Sequence, residues 1–360
     1  MKYIEEYRDG DVAKALSEKI REISTKRVRL MEICGTHTMA IFRHGIRSLL
    51  PETIELVSGP GCPVCVTATE EVDRAVKLAQ TKGVIVTTFG DMIRVPGSNS
   101  SLQMEQAEGA TVKMVYSTFD ALKIASKNKD SEVVFLGVGF ETTAPTVAAA
   151  IATAHAAGDK NFSVLSAHKL LPPAMDALLS SGEVMVNGFI CPGHVTTIIG
   201  TSSYEKVVKQ YHTPCVVTGF EPVDILQGIL MLVEQIESDR AEVEIQYSRG
   251  VSPEGNPGAL SLMEKVFEPC DAPWRGLGNI PGSGLAIRKS FSDYDAENRF
   301  DLEVPAAREP AGCLCAQVLR GAAIPPDCKF FRNACTPRTP IGPCMVSSEG
   351  TCAAYYKYHM

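Results

Sequence analysis

Two cysteines, Cys62 and Cys65, sit inside a run of turn-forming residues, Gly59-Pro60-Gly61-Cys62-Pro63-Val64-Cys65. A C-x-x-C pair can close a disulfide, bind a soft metal or pass electrons. The run follows the apolar stretch 54–57 and precedes a helical pattern whose Thr67 and Glu70 have capping-box form. Strand, tight turn and helix place both thiols where open α/β sheets keep ligand sites. Partial positive charge at the helix start favours thiolate there. A second pair, Cys34 and His37 in Cys34-Gly35-Thr36-His37-Thr38, offers a soft and a borderline donor within one turn. That suits iron, zinc or copper; a packed cysteine beside a satisfied histidine is the plainer alternative.

The C-terminal part gathers more sulfur. Of 12 cysteines, Cys313, Cys315, Cys328, Cys335, Cys344 and Cys352 fall close together. Four thiolates from an irregular segment suit a [4Fe-4S] cluster or an all-cysteine zinc site. The wide gaps match neither zinc-ribbon pairs nor the ferredoxin run, so spacing leaves the metal open. Asp91 with Arg94, and Glu141 and Glu221, each follow a predicted strand. They either orient and deprotonate ligands or serve as loop ion pairs and turn caps. Cys191 and His194 echo the first pair, with Pro192 changing the loop. No phosphate-binding P-loop is present, and Gly137-x-Gly139 is too short for a dinucleotide fingerprint.

Alternating strands and helices must carry these groups. Strands are predicted at 28–33, 54–57, 83–89, 112–116, 133–138, 162–166, 188–190 and 215–217, with an amphipathic helix over 223–237. The fold class expected is α/β: two similar Rossmann-like domains facing a central cleft, plus an irregular C-terminal iron–sulfur domain. The boundaries expected are 1–127, carrying Cys34 and the Cys62/Cys65 loop, then 128–246, then 247–360. From Tyr247 onward glycine and proline interrupt the periodicity, so this last part is expected to fold around metal rather than a large apolar core. A net charge of −7 argues against a nucleic-acid surface. No apolar run is long enough to span a membrane, and residues 1–9 lack the apolar core of a signal peptide, so a cytoplasmic protein is expected.

Taken together, the motifs resemble the hydrogenase maturation factor HypD family over nearly the whole chain. The carriers are Cys34-Gly35-Thr36-His37-Thr38, the Gly59–Cys65 run, Phe89-Gly90-Asp91-Met92 through Arg94-Val95-Pro96-Gly97, Gly139-Phe140-Glu141-Thr142-Thr143-Ala144-Pro145, and the terminal set ending Cys344-Met345-Val346-Ser347-Ser348-Glu349-Gly350-Thr351-Cys352. The resemblance implies a scaffold that builds the Fe(CN)2CO group of [NiFe]-hydrogenase, rather than a conventional turnover enzyme. It implies a complex with the small chaperone HypC, which shares a mononuclear iron with Cys34, and cyanide delivered by HypE after HypF supplies carbamoyl. It implies one [4Fe-4S] cluster on Cys313, Cys328, Cys335 and Cys352. The working residues expected are Cys34, His37, Cys62, Cys65, Asp91 and Glu141, with Cys34 and His37 as donors to the iron. Electrons are expected to pass from the cluster through Cys62 and Cys65 to iron at Cys34. A competing reading is an iron–sulfur thiol–disulfide oxidoreductase acting on a protein disulfide. A third is a passive platform whose metal is only structural.

Overall fold

The computed structural model describes residues 5–359; the part of the N-terminal expectation that falls on residues 1–4 lies outside them. The strands are β1 (Val28–Glu32), β2 (Ile54–Ser58), β3 (Val84–Thr88), β4 (Thr111–Met114), β5 (Glu132–Gly139), β6 (Phe162–His168), β7 (Gly188–Pro192), β8 (Cys215–Thr218), β9 (Val243–Ile245), β10 (Phe267–Trp274) and β11 (Gly278–Ile287). Every predicted strand is present. Those of β3 and β5 read as nearly continuous apolar runs because they lie in parallel sheets covered on both faces.

Two all-parallel sheets form the α/β body, one ordered β2-β1-β7-β8-β9 and the other β4-β3-β5-β6. Strands from both sides of residue 127 share the first sheet. The chain lays down β1 and β2, leaves to build the whole second sheet, and returns to complete the first with β7–β9. Consecutive elements are usually spatial neighbours, but long-range register decides the pairing. The internal echo around Cys34 and Cys191 is likewise not two equivalent points of two domains: the strands before them are neighbours in one sheet, with Glu32 opposite Ile190.

The helix Gly10–Ile23 packs on the helix Pro222–Glu237, and both cover the first sheet through Ile20, Leu226, Ile229 and Val233. The spacing of those apolar residues is what the 223–237 reading required. On the second sheet the helix Ala144–Ala157 buries Val147, Ala148 and Ile151 and ends on Gly158, whose φ of 70° closes the helix.

The part after Tyr247 begins with a regular element rather than an irregular one. Despite Pro269, Pro273, Pro281 and four glycines, β10 and β11 form an antiparallel hairpin with a register shift between Cys270 and Ala272. Ala272, Trp274 and Ile280 enter one core with Cys62, Cys65, Phe140 and Leu171, while Phe267, Leu285 and Ile287 join the core of the second sheet. The hairpin therefore belongs to the α/β body, and only the final cysteine-rich region lacks long elements. Among the described residues no helix is long and apolar enough to cross a membrane.

Candidate functional site

Cys34 stands where β1 ends and the helix Gly35–Arg43 begins, in extended backbone and 3% exposed. The loop after β2 is laid directly on it. Gly59 N–H donates to Glu32 O at 2.8 Å, and Gly35 N–H donates to Gly61 O at 2.9 Å. At Gly61 a Cβ would stand 2.0 Å from the Cys34 nitrogen and 2.4 Å from its Cα, so only glycine allows this approach. The next residue, Cys62, caps the short helix Pro63–Val66 with its sulfur, which accepts Cys65 N–H at 3.3 Å. Cys62 and Cys65 are joined as a disulfide. The helix start is thus inside the motif. The expected capping box at Thr67 and Glu70 is displaced: Thr67 closes the short helix, and Glu71 Oε2 accepts Ala68 N–H at 2.9 Å for the helix Thr69–Gln80.

A residue given no role by the sequence reading completes the surroundings of Cys34. Glu349 packs against the bare face of Gly35, and its Oε1 accepts the Thr36 hydroxyl at 2.7 Å. Burial pushes the Cys34 thiol up to about 12; the Glu349 carboxylate adds to that, while the His37 and Thr36 amides pull the other way. Glu349 lies within the terminal motif, but a lone acid in a loop carries no signal until its neighbours are known. Glu32, at the end of β1, is also buried and is raised to about 8 by desolvation; it accepts the Thr38 hydroxyl at 3.0 Å.

His37 is fully buried, its ring stacked on Phe220 at 4.8 Å, with Nε2–H donating to Gly219 O at 2.8 Å. Burial lowers it to about 4, so the ring is neutral, and Nδ1 keeps an unpartnered lone pair. His194 tilts onto the same Phe220, whereas Cys191 is buried and neighbours the Cys215 thiol, as a packed residue does. Asp91 and Arg94 form no ion pair with each other. Arg94 donates instead to Pro337 O and Val346 O, tying the turn Gly90–Arg94 to the C-terminal region. Asp91 and Arg94 line a groove of about 520 Å3 together with Met39, on the helix that follows Cys34, and Tyr356, on the helix Thr351–Tyr358. Glu141 goes elsewhere: its Oε1 accepts Leu171 N–H at 2.9 Å, and it lines a different pocket that includes neither Cys34 nor Cys62.

The terminal cysteines converge. Cys313, Cys315, Cys328, Cys335 and Cys352 line one small apolar cavity with Phe331 and Met345, and the buried Cys344 thiol neighbours those of Cys315 and Cys352. Cys335 Sγ accepts Ile341 N–H at 3.4 Å. Among the described residues no group of three or more His, Cys, Asp or Glu side chains is placed to hold a metal ion. An all-thiol donor set in an apolar wall fits an iron–sulfur cluster and does not suit a hard cation. The turn Pro343–Met345 packs against the helix Pro63–Val66, and Cys315 and Cys344 share a core with Cys62 and Cys65. Arg275 stitches the same junction. Its N–H donates to Val66 O at 2.9 Å, its Nε–H to Thr67 O at 3.0 Å, and its Nη1 to Glu309 at 3.1 Å.

Known proteins resemble this chain over nearly its whole length. The family model HypD, described as the hydrogenase formation hypA family, matches residues 11–359. The chain is 50% identical to the hydrogenase maturation factor HypD of Azotobacter vinelandii, over 99% of this chain and 97% of that protein. It is 47% identical to HypD of Cupriavidus necator over 99% and 97%, and 46% identical to HypD of Rhizobium leguminosarum over 99% and 96%. A full-length match at that identity, on a fold that sets the Cys62–Cys65 loop against Cys34, shows that the chain belongs to the HypD family of hydrogenase maturation factors.

Proposed function

We propose that the chain is the platform on which the Fe(CN)2CO group of [NiFe]-hydrogenase is assembled, with iron as the cargo held by Cys34. The observation that carries this reading is the contact of Gly61 with the Cys34 backbone, which holds a redox-capable cysteine pair beside a buried thiol. Cys34 Sγ gives up its proton to bind iron as a thiolate, the strongly donating ligand that iron bearing cyanide and carbon monoxide requires. The neutral imidazole of His37 offers Nδ1 as a second donor. Burial of Cys34 keeps water from the cargo. The partners are HypC, which shares the iron, and HypE, which delivers cyanide.

Cys62 and Cys65 hold two electrons and two protons as a dithiol and release them on closing the disulfide. Cys313, Cys328, Cys335 and Cys352 would hold a [4Fe-4S] cluster, a group that stores and passes single electrons when bound. An oxidoreductase acting on a protein disulfide is less well supported, because Cys62 is 4% and Cys65 0% exposed and attack requires access to sulfur.

The test is iron analysis with infrared spectroscopy on the chain purified without oxygen alongside HypC. The parent should carry about four cluster irons and one more, with cyanide and carbonyl bands. Cys34→Ala should lose the bands and the extra iron while keeping cluster absorbance. Bands that persist in Cys34→Ala would overturn the reading. Cys62→Ala should abolish hydrogenase maturation with cluster absorbance intact.

A further inference from the structure

The Glu141 carboxyl stands apart from the thiol chemistry, in a pocket of about 360 Å3 bounded by the helices Leu171–Ser181, Gly193–Ile199 and Pro257–Val266 and by the hairpin. The walls are apolar, set by Pro172, Ile199, Leu260, Met263 and Phe267. Glu141 is 2% exposed. Its Oε1 is held by Leu171 N–H, while Oε2 has no partner. A buried carboxyl oxygen without a partner is costly unless something binds it. Nothing in the lining supplies a positive charge: the residues include no Lys, Arg or His, Ser203 donates its hydroxyl to Ile199 O at 3.2 Å, and Glu264 is a second, exposed acid. Desolvation raises Glu141 to about 7, the response of a carboxyl that lacks a cation.

From this placement we infer that the Glu141 pocket binds a small organic ammonium ion, its charged nitrogen against Oε2 and its apolar body against Leu260, Met263 and Phe267. The volume lies at the lower end of the range for small-molecule sites, and an apolar cavity with one convergent polar group is their usual construction. An anion would meet two acids and no cation. A neutral apolar molecule would leave Oε2 unpaired. The site is separate from the cysteine chemistry, so it serves a ligand other than the iron cargo.

The experiment is calorimetric titration of the full chain, purified without oxygen, with phenethylamine and with 3-phenylpropionate, which share an aromatic body and differ in charge. Phenethylamine should bind saturably, and 3-phenylpropionate should bind at least about tenfold more weakly, the scale of a charge-assisted hydrogen bond. Glu141→Gln keeps an acceptor for Leu171 N–H and the shape of the side chain but removes the charge; it should weaken phenethylamine by a similar factor. Equal affinity for the two probes, no saturable binding of phenethylamine, or unchanged affinity in Glu141→Gln would each overturn the inference. The comparison of probes on the parent chain decides the matter if the variant does not fold. Iron at Cys34 plays no part in the readout, so failure here and failure of the assembly reading are distinguishable.

Discussion

At the scale of single residues, Gly61 and Glu141 show how burial fixes what a side chain can do. Gly61→Ala puts a methyl group into the Cys34 backbone, where main chain cannot yield as a flexible side chain would. The expected cost is about 1–3 kcal/mol, read as a lower denaturation midpoint, with loss of the extra iron even in the fraction that folds. Unchanged stability and iron content would show that the two loops are not in contact. Glu141 yields a pH prediction. Its folded-state value is raised from 4.5 to about 7, so the folded chain binds the proton more tightly than the unfolded one. Its contribution is therefore fully present below about pH 4.5 and is lost as pH rises through about 7. Relative to Glu141→Gln, the parent should lose a few kcal/mol of stability across that window. Parallel stability curves for the two proteins, measured by denaturant unfolding at stepped pH, would contradict this.

At the scale of elements, the short helix Pro63–Val66 is too short to stand alone. Pro63 fixes its first turn, the Cys62 sulfur caps it, and Arg275 accounts for the carbonyls of Val66 and Thr67 at its end. The Arg275 side chain is 2% exposed and its Nη2 has no partner, so the guanidinium is held by few bonds in a dry junction. Arg275→Met fills a similar volume but leaves Thr67 O without its donor. The expected loss is about 1–3 kcal/mol, and the Cys62–Cys65 disulfide should become faster to reduce by dithiothreitol because its helix opens more often. A variant whose disulfide is reduced at the parent's rate would show that Arg275 does not secure this helix.

At the scale of the whole molecule, the excursion of the chain from the first sheet to the second and back ties the two together. The pair β1 and β2 has no partner within residues 1–127 except itself, because β7–β9 arrive after the second sheet is complete. A fragment of residues 1–127 should therefore lack cooperative unfolding by circular dichroism, since a two-stranded remnant of a five-stranded parallel sheet exposes both faces. A cooperative transition in that fragment would show that residues 1–127 fold as a unit of their own. The hairpin β10–β11 has the same consequence at the other end: removing residues 247–360 strips Trp274 from the core around Cys62 and Phe267 from the core of the second sheet.

The sequence by itself determined the α/β class, the strands β1–β8 and the amphipathic helix ending at Glu237, and it singled out the cysteine motifs, because periodicity, glycine and proline placement and cysteine density are local signals; β9–β11 escaped it. It also drew Cys34 and the Cys62/Cys65 pair to strand ends, where parallel sheets keep their sites. Only the tertiary structure decided which strands pair, that β10–β11 belongs to the α/β body, that Arg94 binds the C-terminal region rather than Asp91, and that Glu349, not Glu141, stands by Cys34. These are contacts between residues far apart in the chain. Their strength lies in register, shared burial and the close approach allowed at Gly61, and none of these leaves a mark in the spacing of neighbours.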